Sequence, residues 1–330
     1  ITFSTGLDNF ALSLQVPNQR FTWLNPISST WNLPENWLGG VPDSQNIVAV
    51  FGSVISASRS VTLDSPRVIG AIEFDSSHSF ALVGSGTISL QTTSASGSIN
   101  VLNGSDTINA PPQLASPSQF DIGTNNALNV SNLQSTTQSI TKSGSGLLQV
   151  NRVLAPALDI QAGTVQLTAM PASVVNSLSI ATSAKFDVGA SGFVLDYTGA
   201  TPASVVRQQI IDAQILTSSA TPGTTLGYAE KSQLGVDGSF LGVSGIDSTA
   251  MLVRMTFAGD ANLSGSVNLD DFTRLAAGFG SIGSTWTSGD FNYDGFTNLD
   301  DFTALAANFG LNVPADLPRG SAVPEPSLGL

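Results

Sequence analysis

The stretch "GDFNYDGFTNLDDF" (residues 289–302) sets side-chain oxygens at 290, 292, 294, 298 and 301, and "GDANLSGSVNLDDF" (residues 259–272) repeats that spacing upstream. Counting Asp290 as the first position, Asn292 is third, Asp294 fifth, Gly295 sixth, Phe296 seventh, Asn298 ninth and Asp301 twelfth. The upstream copy holds Asp260, Asn262, Ser264, Gly265, Ser266, Asn268 and Asp271 at the same places. This is the spacing of a twelve-residue calcium loop. Calcium takes about six to eight oxygens, and alternate side chains of a tightly curled loop all point inward. Gly at the sixth place allows the sharp turn. The seventh residue donates its backbone carbonyl, so Ser266 and Phe296 enter the ligand set through the main chain. The twelfth carboxylate closes the site from the first turn of a helix. Two Ca2+ sites are expected. The second loop offers three carboxylates and the first only two, so the second is expected to bind more tightly. Both are expected to be weaker than cytosolic sensor sites.

The elements that must position these residues are visible around them. After each loop, Phe272, Leu275, Ala276 and Phe279, then Phe302, Leu305, Ala306 and Phe309, step i, i+3, i+4, i+7. That spacing predicts two short helices with one apolar stripe each, able to pair stripe to stripe. Gly280 and Gly310 stand where a helix C-terminus favours a left-handed residue. Upstream, residues 47–197 read as a series of short strand-like segments, among them "AIEF", "SFALVG", "SINVLNG", "SGLLQVN", "GTVQLT" and "FVLDYTG", bounded by Gly, Ser, Asn or Asp. Successive "G-x-apolar-x-apolar" rungs point to a mainly β chain built as a β-solenoid, because stacked rungs bury a core that no single rung can bury alone. A β-sandwich or jelly roll is the alternative. Residues 202–216 predict one short helix and residues 251–257 a last strand before the loops.

Four segments follow from this: an N-terminal Trp-rich segment (1–46), a β-solenoid body (47–257), a calcium-loop domain (258–313) and a tail (314–330). Trp23, Trp31 and Trp37 read as an aromatic plug over one end of the β core, with a sugar-stacking platform as the other reading. Residues 1–15 alternate apolar and polar like a detached strand that a neighbouring subunit could accept.

Composition narrows the function classes. The chain has 330 residues, a net charge of −13 and 11 Lys plus Arg. No basic patch recommends nucleic acid or an anionic membrane as partner. Cys is absent and His78 is the one histidine, so any metal must be hard and oxygen-ligated. No apolar run is long enough to span a bilayer. Ile1 in place of Met is read as the mark of a removed targeting peptide.

No nucleophile elbow, phosphate loop or dinucleotide fingerprint occurs. A serine triad would have to use His78, in "FDSSHSF", where a turn or surface role is the simpler reading. Glu35, Glu73, Glu230 and Glu325 are isolated in sequence, so no motif presents the carboxylate pair of a glycosidase. The chain is therefore read as non-catalytic.

The paired loops with their helices resemble a type I dockerin, whose loops also end in Asp. The resemblance implies calcium ligands at Asp260, Asn262, Ser264, Asn268 and Asp271, and at Asp290, Asn292, Asp294, Asn298 and Asp301. Cellulosomal dockerins often carry Ser-Thr at the tenth and eleventh positions to read a cohesin. Here Leu269-Asp270 and Leu299-Asp300 stand there, which departs from the cohesin-reading pattern. The wider chain is similar to large secreted proteins of planctomycete-type bacteria, through "NWLGGVPDSQNIVAVFG", "FDVGASGFVLDYTG" and "GYAEKSQLG", and through them to autotransporter-type β-solenoids. "VPEPS" (residues 323–327) resembles the start of a PEP-type C-terminal sorting signal. Together these imply a secreted, cell-surface structural protein that self-associates into a filament or matrix with calcium. The alternatives are a module binding polysaccharide or a cohesin-like partner, and a calcium-dependent polysaccharide-degrading enzyme.

Overall fold

Strands with apolar residues at alternate positions, repeated at nearly constant spacing, can bury those residues only by stacking turn upon turn. A computed structural model, which describes residues 19–93, 95–235 and 239–313, has this form. The strand expected at residues 1–15 and the sorting-signal stretch at 323–327 lie outside the described residues. The chain is mainly β and forms a β-solenoid of about seven turns.

Each turn sends one strand into a 12-stranded sheet and one into a 9-stranded sheet. A 3-stranded sheet of Arg67–Ile69, Ile88–Leu90 and Pro112–Leu114 lines a third side of three successive turns. From Val48–Phe51 to Gly192–Asp196 the turns pair in parallel, with one register shift between Val101 and Asn103, which distinguishes this stack from an antiparallel sandwich. In the 9-stranded sheet one ladder reads Val61, Leu82, Ile108, Val130, Val150 and Leu167, each at most 3% exposed. Burying each such side chain contributes roughly 1.5–3 kcal/mol before entropy is counted. Gly104 shows how closely the turns approach at a corner. Its φ is +93°, and a Cβ there would lie 2.2 Å from the Ser76 carbonyl of the previous turn.

The matching ladder of the larger sheet reads Ala49, Ile72, Ile99, Phe120, Lys142 and Ile160. Lys142 thus occupies a core position and is 0% exposed. Its Nζ donates to the carbonyls of Ser143 (2.7 Å), Gly144 (2.7 Å) and Ala162 (3.2 Å) at the corner. Three carbonyls offset the desolvation of the ammonium. Burial still pulls its pKa down to about 8, with Asp121 opposing the shift.

Asp106 is the acidic counterpart. It is 3% exposed; Oδ1 accepts the Phe80 N–H at 2.8 Å, and Oδ2 is buried without a partner. Burial pushes its pKa up to about 7. Folded protein therefore holds this proton between the ordinary carboxylate range and pH 7, where the unfolded chain has lost it. Stability from this group is full in acid and falls as pH rises towards 7. Asp106→Asn is expected to remove that slope and to gain ~2 kcal/mol at pH 8. Urea unfolding at pH 4 and pH 8 measures both, and an equal effect at the two pH values would refute the assignment.

Trp23, Trp31 and Trp37 are 1%, 0% and 4% exposed and surround Phe51 at centroid distances of 5.5–6.0 Å. Their indole N–H groups donate to the carbonyls of Asn25, Pro42 and Trp31. They form the aromatic plug and present no face on which a sugar could stack. Strands Arg20–Trp23 and Ser29–Thr30 carry this segment into the same two sheets as the strands beyond residue 47.

The other end is built differently. Helix α1 (Ala203–Ile211) is shorter than the stretch expected at 202–216. Ala213, at φ +50°, turns the chain, and Ile215–Leu216 closes the 9-stranded sheet. The strand expected at 251–257 is Ala250–Phe257, but it runs antiparallel to Gly192–Asp196. Thr224–Glu230, which the sequence pattern did not single out, pairs antiparallel with it and forms the edge of the 12-stranded sheet. A four-residue helix α2 (Lys231–Leu234) follows that edge strand. Two more helices, α3 (Leu269–Gly278) and α4 (Leu299–Asn308), follow the two loops.

Candidate functional site

Both loops curl as their Gly and Asx residues dictate. Gly265 and Gly295 sit at φ +89° and +87°, and the fourth positions, Leu263 and Tyr293, also take positive φ. Asn268 and Asn298, the ninth positions, are the N-caps of α3 and α4. Asp271 and Asp301, the twelfth, each accept the N-cap backbone N–H through Oδ2, at 2.9 and 3.0 Å. Each of these two carboxylates also turns Oδ1 back to the third residue, accepting the N–H of Asn262 (3.2 Å) or Asn292 (3.3 Å). The twelfth side chain thus ties the helix start to the loop in both copies, and both carboxylates are fully buried.

In loop two the side chains at positions three, five and nine converge. Asp294 Oδ2 accepts from the amides of Asn292 (3.0 Å) and Asn298 (3.5 Å). Asp290 is 1% exposed. Its Oδ2 accepts the Gly295 N–H at 3.1 Å and is ion-paired at 3.0 Å with Arg207 Nη2, from α1. Its Oδ1 is buried and has no partner. Burial pushes the Asp290 pKa up, Arg207 draws it back, and Asp301 adds a smaller upward push, which places the first and twelfth carboxylates within each other's field.

In loop one Asp260, 0% exposed, accepts the N–H groups of Ser264 (2.9 Å) and Gly265 (2.8 Å) and the hydroxyl of Thr256. Ser264 Oγ donates to the seventh carbonyl, that of Ser266, at 3.2 Å. Burial pushes Asp271 up to about 6, and Asp260 adds to it. Asn262 and Ser264 open onto a cavity of ≈ 770 Å³, which gives this loop a path from solvent. In loop two the exposed Asn292 and Asp294 provide that path.

All twelve sequence-derived positions therefore lie in two curled loops. In each loop the first and twelfth carboxylates are buried, while between them Ser264, Asn292 and Asp294 are exposed and Asn262, Asn268 and Asn298 are half-buried. Among the described residues no group of three His, Cys, Asp or Glu is gathered tightly enough to hold a metal by itself. A shell would have to be completed by Asn262, Ser264, Asn268 or Asn292, Asn298 and the carbonyls of Ser266 and Phe296. That is a hard-oxygen set, suited to calcium.

Sequence reasoning missed the residues that bind the loops to the solenoid. Trp286 is 0% exposed and its Nε1 donates to the Asp260 carbonyl at 2.7 Å. Tyr293 stacks on Tyr228 with centroids 6.0 Å apart, and its hydroxyl donates to the Leu226 carbonyl of the edge strand. Asn308 of α4 donates to the Ala258 carbonyl at 2.8 Å. Only the fourth Trp, unused by the plug, was a signal for any of these contacts.

The stripes on α3 and α4 are also turned from the expected orientation. Leu275 and Leu305 are buried, but the inward line on α3 is Asp271, Leu275 and Gly278. Phe272 and Phe302 meet edge to face at 6.3 Å while 38% and 37% exposed, and Phe279 and Phe309 are each 54% exposed. The twelfth carboxylate must point into its loop, and this rotates each stripe partly into solvent.

No protein-family model matches the chain, and neither a curated protein nor a solved structure matches it at a significant level. Among the described residues, no helix is long and apolar enough to cross a membrane.

Proposed function

We propose that this chain is a secreted, non-catalytic structural protein whose solenoid is closed at its C-terminal end by a dockerin-like pair of calcium loops. The reading is carried by Asp290. Its buried Oδ1 has no partner, while its Oδ2 is fixed by Gly295 and by an arginine of the solenoid body. A carboxylate oxygen held this way is costly unless a cation meets it. An ion there is bonded, through one side chain, to the end of the solenoid. That supports a role in assembly and stiffness over one in chemistry. Calcium would be held by Asp260, Asn262, Ser264, Asn268, Asp271 and the Ser266 carbonyl, and by Asp290, Asn292, Asp294, Asn298, Asp301 and the Phe296 carbonyl. When bound it supplies charge neutralisation for carboxylates that burial otherwise pushes towards the protonated form. Self-association on a cell surface or in a matrix, with sorting through the tail, completes the proposal.

Titration calorimetry with Ca2+ is expected to give two sites per chain, and electron microscopy to show ordered assemblies that loosen on chelation. Heat-silent titration would remove the calcium loops. Two bound ions with monodisperse particles in both conditions would instead favour docking to a cohesin-like partner. The exposed Phe272, Phe279, Phe302 and Phe309 favour that second reading, because they leave an apolar face on two neighbouring helices.

A further inference from the structure

Oδ2 of the first position in each loop receives one hydrogen bond from within the loop and one from outside it. In loop one, Asp260 Oδ2 accepts from Gly265 N–H and from Thr256, on strand Ala250–Phe257. In loop two, Asp290 Oδ2 accepts from Gly295 N–H and from Arg207, on α1. The fourth-position carbonyls follow the same rule. Arg254 Nη1 donates to Leu263 O at 3.2 Å, and Arg207 Nη2 donates to Tyr293 O at 2.7 Å. Thr256 and Arg254 at loop one and Arg207 at loop two thus do the same work at two loops related by an internal repeat. Arg207 does both parts at loop two.

We infer that Arg207 and Thr256 are positioning residues for the two cation sites, and that through Arg207 occupancy of loop two is coupled to docking of α1 on the solenoid end. The inference rests on the calcium reading above. The chemistry is that of an outer-shell donor. It occupies the far oxygen of a ligating carboxylate and so fixes the near one towards the ion. In loop two the near oxygen is Asp290 Oδ1, buried and unpartnered. The guanidinium brings a positive charge near a cation, which opposes binding. Three carboxylates, at Asp290, Asp294 and Asp301, outweigh that one charge. The planar guanidinium also stacks over Tyr293, with its carbon 5.9 Å from the ring centroid. Because binding linkage is reciprocal, an ion that is held better when Arg207 is docked must hold Arg207, and α1 with it, more firmly.

The test uses the full chain and calcium alone. Titration calorimetry on Arg207→Met is expected to show loop two weakened about 10-fold and loop one unchanged. Thr256→Val is expected to do the converse. Amide exchange in α1 is expected to slow on calcium addition in the unaltered chain and not in R207M. Arg207→Lys keeps the charge and a nitrogen that can donate twice but loses the planar group over Tyr293, and it is expected to fall between the unaltered chain and R207M. It also serves as the decisive variant if R207M does not fold. An R207M or R207K chain that binds calcium at loop two as tightly as the unaltered chain, or more tightly, overturns the inference and makes Arg207 a competitor for Asp290. An unaltered chain that binds no calcium overturns the parent reading as well, so the two failures are distinguishable.

Discussion

Asp290→Ala is expected to bind one calcium ion where the unaltered chain binds two, with loop two weakened roughly 100-fold or more. Asp290 combines full burial, an unpartnered oxygen and a fixed far oxygen, so no neighbour can take its place. The stability effect should change with conditions. At free calcium about 100 times the dissociation constant, an occupied site adds roughly 2.7 kcal/mol against unfolding. D290A forfeits that increment. In chelator the same substitution also removes a buried carboxylate oxygen that has nothing to bond. The cost there is limited to the lost Arg207 pair and the lost Gly295 N–H bond, together of order 1–2 kcal/mol with a partly exposed arginine. Thermal unfolding with and without calcium reads both arms. Equal destabilisation in the two conditions would make Asp290 no more than a partner for Arg207, and loop two would then hold no ion.

The parts of this molecule written as local patterns were legible in the sequence. The twelve-residue loop spacing, the left-handed Gly280 and Gly310 behind the two helices, and the alternating strands depend on neighbours within a dozen residues, and all recur in the fold. The stacking of turns followed from the absence of any single segment able to bury its own apolar face. Lys142 was not legible as a core residue, because only the register with Phe120 places it inward and only three corner carbonyls make that tolerable. The antiparallel reversal at Thr224–Glu230 was hidden because "TTLGYAE" carries a central Gly and no clean alternation. The stripes on α3 and α4 were legible as stripes but not in their facing. Helical periodicity gives an angle between side chains and leaves the zero of that angle to the carboxylate anchored in the loop. Arg207, Thr256 and Trp286 were beyond reach for another reason. Arg207 and Trp286 act across 83 and 26 residues, and Thr256, only four residues from Asp260, acts from a strand whose facing is fixed only once the last hairpin has formed.

That surface can be tested at its tightest point. A Cβ at Gly227, in the edge strand, would lie 2.6 Å from Leu263 Cδ2, 2.7 Å from Trp286 Cε2 and 2.8 Å from Trp286 Nε1. None of these atoms ends a long flexible chain that could swing away. The indole is buried, packs edge to face on Phe291 at 5.1 Å, and donates to the carbonyl of the first ligand of loop one. Gly227→Val is therefore expected to expel Trp286, destabilise the chain by about 3 kcal/mol, and weaken calcium at loop one, although residue 227 belongs to neither loop. Gly52→Ala, where a new Cβ meets nothing within 4 Å, is the control and is expected to stay within ~0.5 kcal/mol. If G227V loses stability but keeps loop-one affinity, the loops fold as a module merely resting on the solenoid. If both fall together, the edge strand, the indole and Asp260 form one cooperative unit. Calcium then acts on the solenoid itself, because the strand that bears Gly227 is the last of the 12-stranded sheet. The energy of an ion in loop one then reaches the edge strand through the indole, beside the bonds that Thr256 and Arg254 make from the neighbouring strand, and that edge is where a stacked structure is weakest.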